Sequence, residues 1–343
     1  MRITSGMMMD NLSGTLTESL SSLNASFERV STEKKFTRAS DDPTDAVKTL
    51  QSLHTLSSLT QYQDNIDETT SWVNNTESTV NIVNQIATSA QETLTAASNT
   101  ATTGTTDASA YAQTLQSLQT ELVQTLNTTF SGRYVFGGVQ TGAAPFKVGT
   151  TADDGADNNG KLMYYDYNAA TPSYVAFSSI NTTSSSGMQL TLPVDVGLGM
   201  RMDASGKAVS STVFEAQTSG ISLLAANMTA TGCSDLFDTL GSAITKLQAG
   251  GTVDLTDELS DVQDEQDSVL TTDVGLGEKS NMLTFLGDKN QTDTLNQQSR
   301  LSELQDVDVT KAITEYQMRQ MVYQASLSVG AKILQSSLID FLK

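Results

Sequence analysis

The chain has 343 residues, enough for two or three domains, and a formal net charge of −20. A nucleic-acid backbone or an anionic membrane surface would repel that charge, so neither is expected as a partner. Aromatic residues make up only 6% of the chain. That share is thin for a compact enzyme core and suits long helices that bury their apolar faces between subunits.

The residue inventory argues against a catalytic or metal site. Cys233 is the only cysteine and His54 the only histidine, so no intrachain disulfide, histidine-cysteine zinc cluster or Ser-His-Asp triad is expected. GLGEKS, from Gly275, does not satisfy the phosphate-loop pattern. DDGADNNGK, residues 153 to 161, favours a polar loop tip over a calcium loop, with an ion near Asp157 left open. We expect no catalytic residue, metal or cofactor.

Membrane and export features are also sparse. No run of 18 apolar residues occurs, so no membrane span is expected. The N-terminus MRITSGMMMD is followed by no apolar h-region and no A-x-A site. If the protein is exported, we expect a route without a cleaved signal peptide of the usual kind.

The two ends of the chain are its most amphipathic parts. Between Asp10 and Val30, six apolar residues recur at spacings of three and four, which places them on one stripe of a helix. A helix of this length is marginal in water without a partner. From Asp308 to Phe341 two adjoining stripes form a wide apolar face, broad enough for the N-terminal helix and a neighbouring subunit. The sequence therefore predicts an out-and-back rod whose ends build an assembly.

The segment after the first helix is a polar connector. STEKKFTRASDDPTDA, residues 31 to 46, contains Pro43, which disfavours helix before it and suits the first turn of a new one. Asp41 or Asp42 can cap that helix. Helical periodicity then continues from Asp45 to Ala97 and, after a turn-rich stretch at 98 to 107, from Tyr111 to Leu126.

The middle of the chain changes character. From about Arg133 the spacing becomes strand-like, and residues 137 to 219 hold three of the four prolines and short runs such as LMYYDY, YVAF and LTLPVDV. We interpret 137–219 as an inserted β-rich domain. Its tyrosines suit either alternate positions in a β-core or a sugar- or protein-binding surface, and the β-core is favoured.

Helical periodicity returns from Ile221 to Leu247 and again from Leu255 to Leu270. Acidic residues between Asp257 and Asp267 favour a solvated helix face over a chaperone- or partner-binding patch. We expect a local loosening of the helix at GLGEKS, then one helix from about Met282 into the C-terminal segment.

The terminal regions resemble a known family. SLNASFERVSTEKKFTRASDDPTDA near the N-terminus and LSELQDVDVTKAITEYQMRQMVYQASLSVGAKILQSSLIDFL at the C-terminus resemble those of the bacterial flagellins. Asp41-Asp42-Pro43, the run GRYVFGGVQTGAAPF and the ending SLIDFL favour the hook-associated, hook–filament junction type. The sequence departs from the family at GLGEKSNML, where an Arg-Asn-Arg-like pattern is expected.

The resemblance implies a flagellin-like fold, mainly α with an inserted β domain, in which the terminal segments form a long antiparallel helical bundle or coiled coil. It implies three domains: residues 1–40 with 301–343, residues 41–136 with 220–300, and residues 137–219. The implied function is a non-enzymatic adaptor ring of identical subunits between the first hook-associated protein and flagellin. Family members are secreted to the extracellular flagellum through the type III export channel with an export chaperone.

The subunit interface is expected on the terminal segments. The apolar candidates are Leu12, Leu16, Leu20, Leu23, Phe27, Val30, Tyr316, Tyr323, Leu327, Leu334, Leu338 and Phe341, and the polar candidates are Arg38, Asp41 and Asp42. Two rival functions remain: a flagellin that polymerises into the filament, and, from another class, an enzyme or carbohydrate-binding module displayed on a helical scaffold.

Overall fold

The computed structural model describes residues 5–99, 105–150, 158–166, 172–180, 192–203, 209–224, 235–249 and 254–341. From residue 333 onward it describes the backbone only. The described helices are α1 (Ser5–Thr32), α2 (Pro43–Asn99), α3 (Thr105–Leu126), α4 (Gly220–Leu224), α5 (Leu236–Ala249), α6 (Thr256–Gln305) and α7 (Val309–Phe341). Helices dominate this part of the chain, which confirms the mainly α prediction.

Seven short strands lie in the described residues of the β-rich insertion and at its edges. They are β1 (Thr129–Phe130), β2 (Arg133–Tyr134), β3 (Phe146–Val148), β4 (Leu162–Asp166), β5 (Ser173–Ala176), β6 (Pro193–Val194) and β7 (Phe214–Glu215). All pairings are antiparallel: β1 with β2, β3 with β4 and β5 in a three-stranded sheet, and β6 with β7. In the three-stranded sheet Tyr164 lies opposite Phe146 on one side and Val175 on the other.

The chain divides into two compact units, one formed by residues 1–60 and 291–343 and the other by residues 61–290. We call them the terminal unit and the central unit. Helices α2 and α6 contribute residues to both. The predicted division into three domains stays a prediction.

One hydrophobic core holds the central unit together. Side chains of α2, α3, α5 and α6 meet in it, and α3 packs along α5. Fully buried examples are Val80, Leu94, Leu122 and Leu240. The strands join the same core through Phe146, Tyr164 and Phe177, whose ring centroids lie 5.2 to 6.5 Å apart.

The many Ser and Thr residues of the helices satisfy their hydroxyls locally. The buried Thr76, for example, donates to the Trp72 carbonyl at 2.8 Å, four residues earlier. Such bonds let a polar residue lie inside a helical core without an unpaired donor.

The structure corrects two expectations about the C-terminal half. Helix α6 runs unbroken through Gly275 and Gly277, so the expected loosening at GLGEKS is wrong. Leu276, between the two glycines, and Leu283, six residues after Gly277, are buried in the core, which compensates for the low helix propensity of glycine. The continuous helix expected from Met282 is also wrong, because α6 ends at Gln305 and α7 begins at Val309.

Candidate assembly surface of the terminal unit

The connector between α1 and α2 is tied to the break between α6 and α7. Glu33 adopts a left-handed conformation with φ of 57°, which ends α1. Its carbonyl accepts from Val307 N at 2.9 Å, and Lys35 N donates to Gln305 O at 2.7 Å. The Lys35 ammonium donates to the Glu303 carbonyl. The end of α6 and the break that follows it thus supply backbone partners for the connector.

Capping side chains define the starts of α2 and α7 in this unit. Asp42 Oδ1 accepts from the backbone N of Thr44 and Asp45, both at 3.1 Å, with Pro43 as the first helical residue. Asp308 Oδ1 likewise accepts from Lys311 N at 3.1 Å. Of the two possible caps for α2, the structure therefore uses Asp42. The sequence contains a signal for the cap at Asp308, which is an acidic residue directly before an apolar run. We did not predict this cap.

The three predicted polar residues have different surroundings. Asp41 Oδ2 accepts from Arg38 N at 3.2 Å, and Asp41 N donates to Arg38 O at 3.0 Å, so the two residues close a tight turn. Asp42 is half-buried at its cap. Only the Arg38 side chain is both exposed and uninvolved in these bonds. Their role between subunits stays a prediction.

Helix α1 packs on α7, and some predicted interface residues meet within the chain. The rings of Phe27 and Tyr316 lie 6.0 Å apart between centroids, at an interplanar angle of 48°. Leu12 lies against Gly330, where an added Cβ would stand 3.1 Å from Leu12 Cδ2. These contacts pair the N- and C-terminal stripes inside one subunit.

The predicted apolar interface residues divide by exposure. Half-buried side chains are Leu12, Leu16, Leu23, Val30, Tyr316 and Tyr323. Leu20, Phe27 and Leu327 remain 42%, 57% and 44% exposed. Leu334, Leu338 and Phe341 lie in α7, but their side chains are outside the described part of the structure.

Further apolar side chains on the same unit are open to solvent. Helix α7 exposes Met318, Met321, Val322 and Val329, each by more than half, and α2 exposes Val47, Leu50 and Leu53. A groove of about 390 Å³ runs between α1 and α7 beside Met318 and Val322. So many large apolar side chains outside a core are typical of a surface that another chain covers.

The structure also bears on the predictions about the tyrosines, a metal site and a membrane span. Tyr164 is buried in the core, while Tyr165 and Tyr174 stack edge-on at 5.0 Å between ring centroids. These contacts favour the β-core interpretation of the tyrosines. Cys233, Asp157 and Tyr167 lie outside the described residues. Among described residues no group of three or more His, Cys, Asp or Glu side chains is arranged to hold a metal, and no described helix is long and apolar enough to span a membrane.

A buried acid in the central unit escaped sequence analysis. Asp235 is fully buried at the start of α5, and its Oδ1 accepts from Asp238 N at 2.9 Å. Burial raises the pKa of Asp235 to about 8, and the neighbouring carboxylate of Asp238 adds to the shift, whereas hydrogen bonds from the Asp238 and Phe237 amides oppose it. Burial also raises the pKa of Asp238, whose Oδ1 faces Leu162 N at 3.5 Å. This pair joins a helix start to strand β4.

Comparisons with known proteins find similarity to flagellar proteins. The model of the bacterial flagellin N-terminal helical region matches residues 3–141. Flagellar hook-associated protein 3 of Salmonella typhimurium is 26% identical over 328 residues, covering 95% of each chain.

Solved structures show the same fold. A flagellar hook-associated protein from Vibrio parahaemolyticus aligns with a TM-score of 0.57 at 16% identity, covering 78% of this chain and 100% of that one. A flagellar hook-associated protein 3 from Legionella pneumophila aligns with a TM-score of 0.50 at 13% identity, covering 74% and 98%. The resemblance seen in the terminal sequences is thereby confirmed: the chain is similar to the bacterial flagellins over residues 3–141 and to hook-associated protein 3 over almost its whole length.

Proposed function

We propose that this protein is a structural subunit of the bacterial flagellum that joins the hook to the filament. The observation that carries the proposal is the exposed apolar surface of the terminal unit, on a chain similar to hook-associated protein 3 over almost its whole length. Burial of that surface between subunits supplies the association energy, at about 25 cal/mol per Å² of apolar area. The role is mechanical, and it needs no reaction.

The proposed partners follow from a position at a junction. Identical subunits form a ring, which contacts the first hook-associated protein on one side and flagellin on the other. The protein works in the extracellular flagellum, after export with a flagellar chaperone. The three predicted domains and the predicted interface residues belong to this proposal, with Leu20, Phe27 and Leu327 as its exposed members.

The test is complementation of a strain that lacks this gene. The strain should form hooks without filaments and lose flagellin to the medium, and the wild-type chain should restore filaments. Leu20→Asp combined with Met321→Asp should fail to restore them, because both side chains are exposed and the charges would enter the buried interface. Ser13→Asp, at an exposed polar position of α1, is the matched control.

Two outcomes contradict the proposal. Filaments of normal length in the deleted strain would remove the junction role. Long filaments of this protein itself, made in cells without their native flagellin, would show that it is a flagellin. For the double variant, an unchanged circular dichroism spectrum must accompany the loss of assembly, since misfolding would also prevent it.

A further inference from the structure

A groove rich in positive charge lies between α1 and the connector of the terminal unit. It encloses about 740 Å³, and its charged lining consists of Arg29, Lys34, Lys35 and Arg38 with Glu28 and Asp41. Four cations face two carboxylates in a chain whose net charge is −20. Four of the 19 Lys and Arg residues thus lie within ten residues of one another. Such a concentration in an acidic protein indicates an acidic partner.

Three of the four cations in this groove have no carboxylate partner among the described residues, and the fourth, Lys35, donates to the Glu303 carbonyl. No described carboxylate lies within 4.0 Å of the Arg29 or Arg38 guanidinium or the Lys34 ammonium, and all three side chains are exposed. The two acidic residues are already engaged: Glu28 Oε1 accepts from Thr37 Oγ1 at 2.7 Å, and Asp41 accepts within its turn. The positive charge is therefore available to another molecule.

The groove is also held in shape. The backbone bonds of Glu33 and Lys35 fix one end of the connector, and the Glu28 to Thr37 bond ties its middle to α1. Phe36 is half-buried against this framework. A binding surface that is ordered beforehand loses less conformational entropy on association.

A complementary surface exists on the same chain. Asp257, Asp261 and Asp264 follow one another at spacings of four and three along α6, which places them on one face over about 10.5 Å. Burial raises the pKa of Asp261, and the carboxylates of Asp264, Glu258 and Asp257 raise it further, while Lys246 opposes them. Lys246 is itself bound to Glu258 at 2.7 Å. We call these three aspartates the acidic face.

We propose that the cationic groove of one subunit binds the acidic face of α6 in a second copy of this chain. The inference rests on the proposed ring and names one contact that holds it together. Because the two surfaces are different, the contact is head-to-tail, the kind of interface that closes into a ring when its rotation permits. Every subunit then offers one groove and one acidic face, so each charge surplus is neutralised by a neighbour.

Charge reversal in the full-length protein tests the contact. The groove variant is Lys34→Glu with Arg38→Glu, the face variant is Asp257→Lys with Asp261→Lys, and the third protein combines all four changes. Each is expressed in the strain lacking this gene, and filaments per cell are counted. A control with Lys311→Glu and Lys332→Glu reverses two exposed cations outside the groove. Circular dichroism of the purified chains checks that each variant folds.

The groove and face variants should each lower the filament count about tenfold or more, as like charges replace attraction, and the combined protein should recover it to within about threefold. The control should match wild type. Normal filaments with either single-surface variant would overturn the contact. If the groove variant and the face variant both lose filaments and the combined protein does not recover them, the groove does not bind a second copy of this chain. Another acidic partner would then occupy it. If the wild-type chain itself restores no filaments, the junction role fails instead.

Discussion

Replacing Asp235 by Asn should remove a specific pH dependence from the stability of the central unit. The pKa of Asp235 is raised from 3.8 to about 8, so between these values the folded state holds a proton that the unfolded state has released. The unfolded state gains stability as pH rises, and the free energy of unfolding of the wild type therefore falls from about pH 4 to pH 8. Above pH 8 both states are ionised, and this contribution becomes constant.

The size of the effect follows from the shift. One pKa unit corresponds to about 1.36 kcal/mol, so the full shift amounts to roughly 6 kcal/mol, of which about 3 kcal/mol develops between pH 5 and pH 7.5. Asn retains the acceptor that caps α5 and carries no charge to bury. The variant should therefore gain about 3 kcal/mol over the wild type across that interval. With a slope of about 3 kcal/mol per M, its urea midpoint should move by about 1 M relative to wild type.

Trp72 provides the measurement, because it is the only tryptophan and lies buried in the same unit. Its fluorescence is followed in urea at pH 5, 6, 7 and 7.5 for both full-length proteins. Asp254→Asn is the matched control: Asp254 caps α6 through Thr256 N at 3.1 Å, but its pKa is lowered by bonds from the Thr256 hydroxyl and amide. That variant should lose stability relative to wild type as pH rises from the acidic range. A difference between Asp235→Asn and wild type that stays constant with pH would refute the reasoning.

Three further predictions concern packing. Gly220→Ala should destabilise the central unit by about 1–3 kcal/mol, because an added Cβ would lie 2.4 Å from Phe146 Cζ; urea unfolding measures it. Gly275→Ala should instead stabilise the central unit by about 0.5–1 kcal/mol in the same assay, because Gly275 lies inside α6 and an added Cβ there has no atom within 4 Å. A loss of stability would contradict the unbroken helix. Leu122→Ala should cost about 2–5 kcal/mol as a cavity in the α3 core, whereas Leu50→Ala, at an exposed position, should change the thermal midpoint little.

The helices and the family could be predicted from the sequence because their evidence is local. Apolar residues at spacings of three and four define α1 and most of α2, and Pro43 after an aspartate marks the start of α2. Both depend on neighbours within about one helical turn, which a sequence displays directly.

Other features depend on which distant segments meet. Two glycines in α6 predict a weak point, but Leu276 and Leu283 reach a core built from other helices, and their burial keeps the helix whole. The break after Gln305 is likewise set by backbone bonds to residues 33 to 35, which lie far away in sequence. The spacing of apolar residues does not tell how much of each side chain α7 covers, so the more exposed Phe27 and Leu20 looked equivalent to Leu12.

The sequence by itself determined that the two terminal segments are helical, that the insertion is β-rich and that the chain resembles flagellins. Each of these follows from residue type and short-range spacing. Tertiary structure alone decided the burial of Asp235, the shared core of strands and helices and the cationic groove. The physical reason is that burial and electrostatic environment are set by all the atoms within several ångströms of a group. Those atoms come from segments that the chain brings together only when it folds.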